Sequence, residues 1–337
     1  MTASKRNDTI MITTIPRRAL LAAPLAAPVL ASILAPAQAQ EVYPARPVNV
    51  VVPWGPGGPT DIFARLLTSR LSTDLGQPFV VDNRVGANGT IGMAAAARLR
   101  PDGYNLIITP NSTYAAAPHL YQLPFDMGAA FAGVGLLVSM PMFMLVARAA
   151  PVNSVADYVA LALRGGQTYA NAGVGATSHL ATEQFLQAAG ISVLEVGYRG
   201  GGPAVQAVLT GEAGMVFMPA ASVMGFIGGG ELKALGVCAT ARSALAPQVP
   251  TFAEQGIPGV EVVEHVAMLA PAGTPEPILR RLNQACTAAL TAPELAPRLQ
   301  ALAVTPERQP LDAWPAYAAA ESGKLGAIIR SRNIRIS

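Results

Sequence analysis

The residues whose arrangement could do chemistry lie where an apolar run gives way to a helix. Residues 51–67 read VVPWGPGGPTDIFARLL. That is the order strand, Gly/Pro loop, helix. It is also the order of a phosphate-cradling loop, yet no Lys follows the glycines and no GK[ST] occurs in the chain. Residues 173–179 (GVGATSH) and 199–203 (RGGGP) have the same small-residue character and also open helices. The first turn of a helix presents backbone N–H groups without partners and a partial positive charge, so it accepts an anion without a cation nearby. Glycine lets that anion approach the backbone closely. The chemistry expected of these loops is the holding of a carboxylate, with N–H groups near Gly57, Gly58, Thr60 and Asp61 as donors and with Pro59 shaping the loop without donating.

Other chemistries fit less well. Ser178 stands where the last glycine of G-x-G-x-x-G would fall after Gly173 and Gly175, and Gly86, Gly89 and Gly92 have the wrong spacing for a dinucleotide. No G-x-S-x-G elbow occurs, and the adjacent Ser178 and His179 point in different directions at a helix start. His119, His179 and His265 read as structural or solvent-facing, and no close His/Cys/carboxylate spacing supplies a zinc site. No cofactor, no metal and no enzymatic activity are expected.

Strand and helix signals alternate along the chain, as in α/β layers with parallel sheets. Residues 48–52, 79–81, 106–109, 168–170, 193–198, 215–218 and 235–237 read as strands. Residues 60–75, 91–99 and 154–164, the segment ending near Ala189, and the segment opened by Pro203 read as helices. Asn111, Ser112 and Thr113 form a polar cluster placed to cap another helix. Two long apolar stretches, 134–147 and 260–270, read as strands crossing between two domains. Domain 1 is then 40–141 with 268–337, and domain 2 is 142–267. Residues 275–330 read as largely helical.

The first 39 residues read as a signal peptide. Lys5, Arg6, Arg17 and Arg18 precede an uncharged Ala-, Leu- and Pro-rich run that ends in Ala37-Gln38-Ala39, a small-x-small cleavage site. The Arg17-Arg18 pair suggests the twin-arginine route. Three prolines make the run a poor spanning helix. This segment holds four basic residues and one acid against 23 and 20 in the whole chain, so the remainder carries 19 of each and no net charge. Nothing in that balance argues for nucleic acid. Cys238 and Cys286 sit in apolar segments and read as buried free thiols; two cysteines do not of themselves establish a disulfide.

Several ordered motifs carry a resemblance that spans nearly all of the chain after the signal. They are Tyr43-Pro44-x-Arg46-Pro47; Val51-Val52-Pro53-x4-Gly58-Pro59-Thr60-Asp61-x2-Ala64-Arg65; Leu75-Gly76-Gln77-Pro78; Asp82-Asn83-Arg84-x-Gly86-Ala87; Pro101-Asp102-Gly103-Tyr104; Ser178-His179-Leu180-Ala181; Tyr198-Arg199-Gly200; and residues 269–275, LAPAGTP. In order and spacing these resemble the substrate-binding proteins of tripartite tricarboxylate transporters, the Bug family. The resemblance implies a two-lobed periplasmic binding protein of the type II, Venus-flytrap kind, with two crossing hinge strands. It implies a soluble, monomeric receptor that closes on a small organic carboxylate and delivers it to the membrane subunits of the transporter. A ligand sensor or scaffold signalling to a membrane partner without transport is the alternative, and gene neighbours encoding two membrane subunits separate the two. Carried over by position, the ligand contacts are Gly58, Pro59, Thr60 and Asp61 with Gly175, Thr177 and Ser178. Gly57 and Ala176 lie in the same loops, Ser112 and Thr113 flank the ligand, and Tyr198 and Arg199 lie in the third loop. Where the family often has Asp after the Phe of a strand, Phe217 is followed by Met218, a contact for a less polar distal group. Gly197 and Glu264-His265-Val266 also depart from the family pattern.

Overall fold

Runs rich in Val, Leu and Ile form the central strands, and Pro lies at or just after their ends. In the computed structural model, which describes residues 43–336, β1 (Val48–Val52) is almost wholly buried and pairs in parallel with β2 (Phe79–Asn83) and β3 (Asn105–Pro110). The connections are α1 (Pro59–Leu75) and α2 (Thr90–Ala96). α1 begins on Pro59, whose missing N–H has no helical partner to lose, and stops at Gly76 in the left-handed conformation. Phe63, Ala64, Leu67 and Leu71 form its buried stripe. Ile62, although apolar, is 43% exposed, because the stripe runs through 60, 64, 67 and 71 and turns residue 62 outward.

After α3 (Met127–Ala130), β4 (Phe131–Met140) leads through Pro141 into β5 (Met142–Ala147). Then come α4 (Val155–Ala162), β6 (Thr168–Asn171), α5 (Thr177–Ala189), β7 (Leu194–Gly197), α6 (Gly201–Leu209), β8 (Met215–Pro219), α7 (Ala220–Gly228) and β9 (Leu232–Cys238). The chain ends with β10 (Glu264–Pro271), α8 (Glu276–Thr291), α9 (Ala296–Ala301), β11 (Thr305–Pro306) and α10 (Trp314–Ser331). The strands form two sheets, ordered β11-β4-β10-β3-β1-β2 and β7-β6-β8-β5-β9. β10 and β5 run antiparallel to their neighbours. The chain therefore leaves the first sheet at the carboxyl end of β4 and enters the second at the end where β6, β7 and β8 finish. The loops that follow the parallel strands of both sheets lie at that shared junction, where open α/β sheets bind ligands.

Some elements depart from the sequence expectations. The stretch 134–147 is two strands, broken at Pro141, whose carbonyl accepts from Ala220 N (3.0 Å). The stretch 260–270 joins a sheet only from Glu264; ahead of it, the N–H groups of Glu261 and Val262 both donate to Gln184 Oε1 (2.8 and 3.1 Å). α6 starts two residues before Pro203. Asn111 precedes a π-helical turn, Ser112–Ala116, and its side chain does not cap it. α7 had no expectation, since its Ala/Gly-rich sequence lacks a polar face. α10 packs on both halves, against the Ser112–Ala116 turn and against α5. Cys238 and Cys286 are buried free thiols, as read. Among the described residues no helix is long and apolar enough to cross a membrane. The expected signal peptide and its Arg17-Arg18 pair lie outside the described residues.

Candidate ligand site between the sheets

The first loop is braced from within. Asp61 is 2% exposed, and its carboxylate accepts from Gly57 N (2.9 Å), Asn83 Nδ2 (2.9 Å) and Arg65 Nε (3.0 Å). Burial opposes the charge, but the hydrogen bonds from Arg65, Gly57 and Asn83 outweigh it and hold the carboxyl below its ordinary range. Gly57 N–H is thus already used, and Gly58 N makes a long bond to Gly55 O (3.4 Å). The N-cap, Gly58, offers no side chain to the helix. Thr60 N and Asp61 N have no acceptor among the described residues, and they are the donors this loop presents.

The next two loops lock to the first. Asn88 adopts a left-handed conformation (φ 53°) between Gly86 and Gly89, which Asn tolerates better than most residues. The Thr113 hydroxyl accepts from Trp54 Nε1 (2.9 Å) and donates to Asn88 O (3.0 Å). Thr113 is fully buried and spent on that relay, so it shapes the site from behind. Ser112 is buried beside it, and its carbonyl lies 3.4 Å from Asn88 Nδ2. A Cβ at Gly89 would stand 2.6 Å from Thr113 Oγ1, so the close approach requires glycine there.

The second half supplies the matching loop. α5 starts at Thr177 with Ala176 as an N-cap that offers no side-chain acceptor. Gly173 and Gly175 are left-handed (φ 131° and 79°), and Gly175 N donates to His179 Nδ1 (3.1 Å). Thr177 and Ser178 are buried in the first turn. Two bonds join the loops of the two halves directly: Asn88 Nδ2 to Gly175 O (3.3 Å) and Thr177 Oγ1 to Asn111 Oδ1 (3.3 Å). The side chain of Asn111 also donates to Val263 O (2.8 Å) and Glu321 Oε1 (2.7 Å), so one buried amide ties the end of β3, the segment before β10, α5 and α10 together. The structure therefore brings together Gly57 to Asp61, Ser112, Thr113 and Gly175 to Ser178.

The structure places Tyr198, Arg199 and Met218 in the second half. Tyr198 is half-buried beside the apolar cluster of the second sheet, and Met218 is part of that cluster, packed against Gly201. Arg199 is exposed and makes no ion pair among the described residues. A cavity of about 170 Å³ opens there between α6 and α7, lined by Gly201, Gly202, Ser222 and Phe226. A second, of about 390 Å³, lies between α5 and α10 and includes none of the loop residues. Among the described residues no cluster of three His, Cys, Asp or Glu is placed to hold a metal.

Sequence reasoning passed over Asn88, named Asn111 only as part of a capping cluster and Glu264 only as a departure from the family pattern. Asn88, Asn111 and Glu264 join the loops only in three dimensions, although the Asn88-Gly89 pair is a visible turn signal. Glu264, the first residue of β10, is half-buried; burial pushes its carboxyl up to about 7, partly offset by the Thr177 hydroxyl. His265 Nδ1 lies 3.6 Å from Glu321 Oε1.

Two sheets joined at their carboxyl ends, each offering an uncapped helix start to the junction, define the two-lobed periplasmic solute-binding class. Solved proteins of that class superimpose on the chain. A protein described as a periplasmic transporter gives a TM-score of 0.81 at 32% identity, covering 88% of this chain and all of that one. The periplasmic binding protein BugD gives 0.78 at 31%, covering 87% and 99%. An R. palustris protein solved with adipate gives 0.82 at 30%, covering 87% and 99%. The protein BugT of Bordetella pertussis (strain Tohama I) is 32% identical over 302 residues, 88% of this chain and 92% of its own. Residues 63–334 match the tripartite tricarboxylate transporter family receptor profile. The chain belongs to that family of receptors.

Proposed function

We propose that this chain is a periplasmic receptor that holds a small organic carboxylate between its lobes and delivers it to the membrane subunits of a tripartite tricarboxylate-type transporter. The observation that carries this reading is the pair of uncapped helix starts, Thr60-Asp61 of α1 and Thr177-Ser178 of α5, offered to one junction. Family relatives support it: one was solved with adipate, and MatC from Rhodopseudomonas palustris was solved with bound malate. The working parts are residues 40–141 with 268–337 and residues 142–267, a monomer that flexes where the chain crosses between sheets. Binding rather than catalysis is its task.

A thermal-shift screen of mono-, di- and tricarboxylates, aromatic acids and acidic amino acids, followed by calorimetry of the best ligand, tests the proposal. The monoamide of that ligand is expected to bind at least about tenfold more weakly, because a charge-assisted hydrogen bond is worth about 1.5–3 kcal/mol. Failure of every carboxylate to shift the protein would overturn the reading. An amide that binds as well as the acid, together with loss of binding in Arg199→Ala, would replace the backbone donors by a cation.

A further inference from the structure

Beneath the second ligand loop lies a buried polar cluster that the proposed function does not use. His179 is 2% exposed. Its Nδ1 accepts from Gly175 N–H at 3.1 Å. A ring nitrogen that accepts carries no proton, so in the neutral ring the proton sits on Nε2. Nε2 faces Glu195 Oε2 (3.8 Å) and Glu183 Oε1 (3.9 Å). The ring stacks on Tyr169, with centroids 6.2 Å apart and planes at 27°. Tyr169 donates its hydroxyl to Glu183 (2.6 Å), and Arg332, just past α10, pairs with the other Glu183 oxygen. Asn171 bridges Glu195 and the N–H of Gly173. Both left-handed glycines of the loop are therefore fastened by buried side chains.

We propose that His179 is a positioning residue for the ligand: its neutral, Nε2-protonated ring holds Gly175 N–H, and so aims the free N–H groups of Thr177 and Ser178 at the junction, coupling ligand release to protonation of the ring. The proposal rests on the carboxylate reading for its ligand, though not for its hydrogen bond. A proton on Nδ1 would set two donors face to face, and the loop would have to move. The charged and titratable groups facing the ring are Glu183 on α5, Glu195 on β7, Tyr169 on β6 and Arg332. Burial, aided by Arg332, outweighs the attraction of Glu195 and Glu183 and lowers the ring's affinity for a proton. The ring is thus neutral at neutral pH. Between the ordinary value and the lowered native one the unfolded chain binds the proton and the native ring does not, so native stability falls on acidification through that window, and below it the native ring is protonated too.

The test compares the wild type with His179→Asn, which keeps an acceptor near Nδ1 but does not titrate, and His179→Leu, which keeps none. In ¹⁵N NMR at pH 8 without ligand, Nδ1 is expected to be unprotonated, and the Gly175 amide is expected to shift and exchange faster in His179→Leu but not in His179→Asn. With adipate as the probe, His179→Asn should bind within about threefold of wild type at pH 8 and His179→Leu about tenfold more weakly, as the loss of one hydrogen bond implies. On acidification the wild type should lose affinity faster than His179→Asn, since the titration of adipate itself cancels in that comparison. A protonated Nδ1 at pH 8, or a Gly175 amide identical in all three proteins, overturns the proposal. If adipate binds none of them, the carboxylate reading fails for that probe and the NMR result alone decides on His179.

Discussion

Asp61 is the acid of the first loop, and its charge is turned inward. An ionised carboxylate facing the junction would repel an anionic ligand; instead it accepts from Gly57, Asn83 and Arg65. Its position at N3 of α1 also suits the positive end of the helix. It therefore acts through the loop that it folds, which leaves Thr60 and Asp61 N–H as donors. Asp61→Ala leaves three donors without their acceptor at a buried site, and a loss of about 2–3 kcal/mol in chemical denaturation is expected, with weaker ligand binding as the loop loosens. The sign with pH follows from the depressed native value. The stabilisation is complete above the ordinary carboxyl range and disappears as pH falls through the native value, so the wild-type advantage over Asp61→Ala should shrink in acid. A constant difference between pH 7 and pH 3 would show that Asp61 acts by packing and not by charge.

At the scale of elements, the loop before α5 is held to a narrow geometry by glycine. At Gly175 an added Cβ would collide with Leu120 and approach Asn88 Nδ2 to 3.4 Å. At Gly190, which ends α5 with φ 64°, nothing lies within 4 Å of that position. Alanine at either site meets the left-handed penalty of about 1–2 kcal/mol. Gly175→Ala should cost more than Gly190→Ala and also weaken ligand binding, while Gly190→Ala should leave affinity unchanged; equal effects on both measures would refute a constraint across the junction. Much of this element plan was legible in the sequence. β1 follows from four valines within five residues, α1 and its stop from Pro59 and Gly76, α5 from the small-residue loop ahead of it. Residues 260–263 were not legible, because an apolar run has the same pattern whether it pairs in a sheet or is clasped by Gln184. Nor was the clustering of His179 and Glu195 with Arg332, which is far from both in the chain. Their types are ordinary surface types, and only burial gives them a role.

At the scale of the whole molecule, the two faces of the junction are fastened unequally. Away from the junction loops, α10 grips α5 and the segment before β10: Arg332 pairs with Glu183, Lys324 Nζ donates to Glu261 O (2.8 Å), and Ser331 Oγ lies 3.2 Å from Gln187 Oε1. Among the loops themselves the halves touch through the Asn88 to Gly175 and Thr177 to Asn111 bonds, each 3.3 Å long and neutral. A neutral hydrogen bond contributes about 0.5–1.5 kcal/mol net, so on the proposed closing motion two of them would hold a closed form only weakly against an opening at Pro141. A carboxylate bridging both helix starts would add charge-assisted bonds present only in the closed form, which is the differential affinity that a population shift requires. Small-angle scattering should therefore show a smaller radius of gyration with saturating ligand. Asn88→Ala removes one of the two weak bonds and should raise the open-to-closed ratio about 2- to 12-fold without ligand. The variant should then scatter as the larger particle when free and match the wild type when saturated, with affinity reduced by at most the same factor, since the ligand must supply the energy that Asn88 no longer does. Identical free-state curves for wild type and Asn88→Ala, with unchanged affinity, would mean that α10 and not the loop contacts sets the closed form, and Arg332→Ala would then be the variant that opens it.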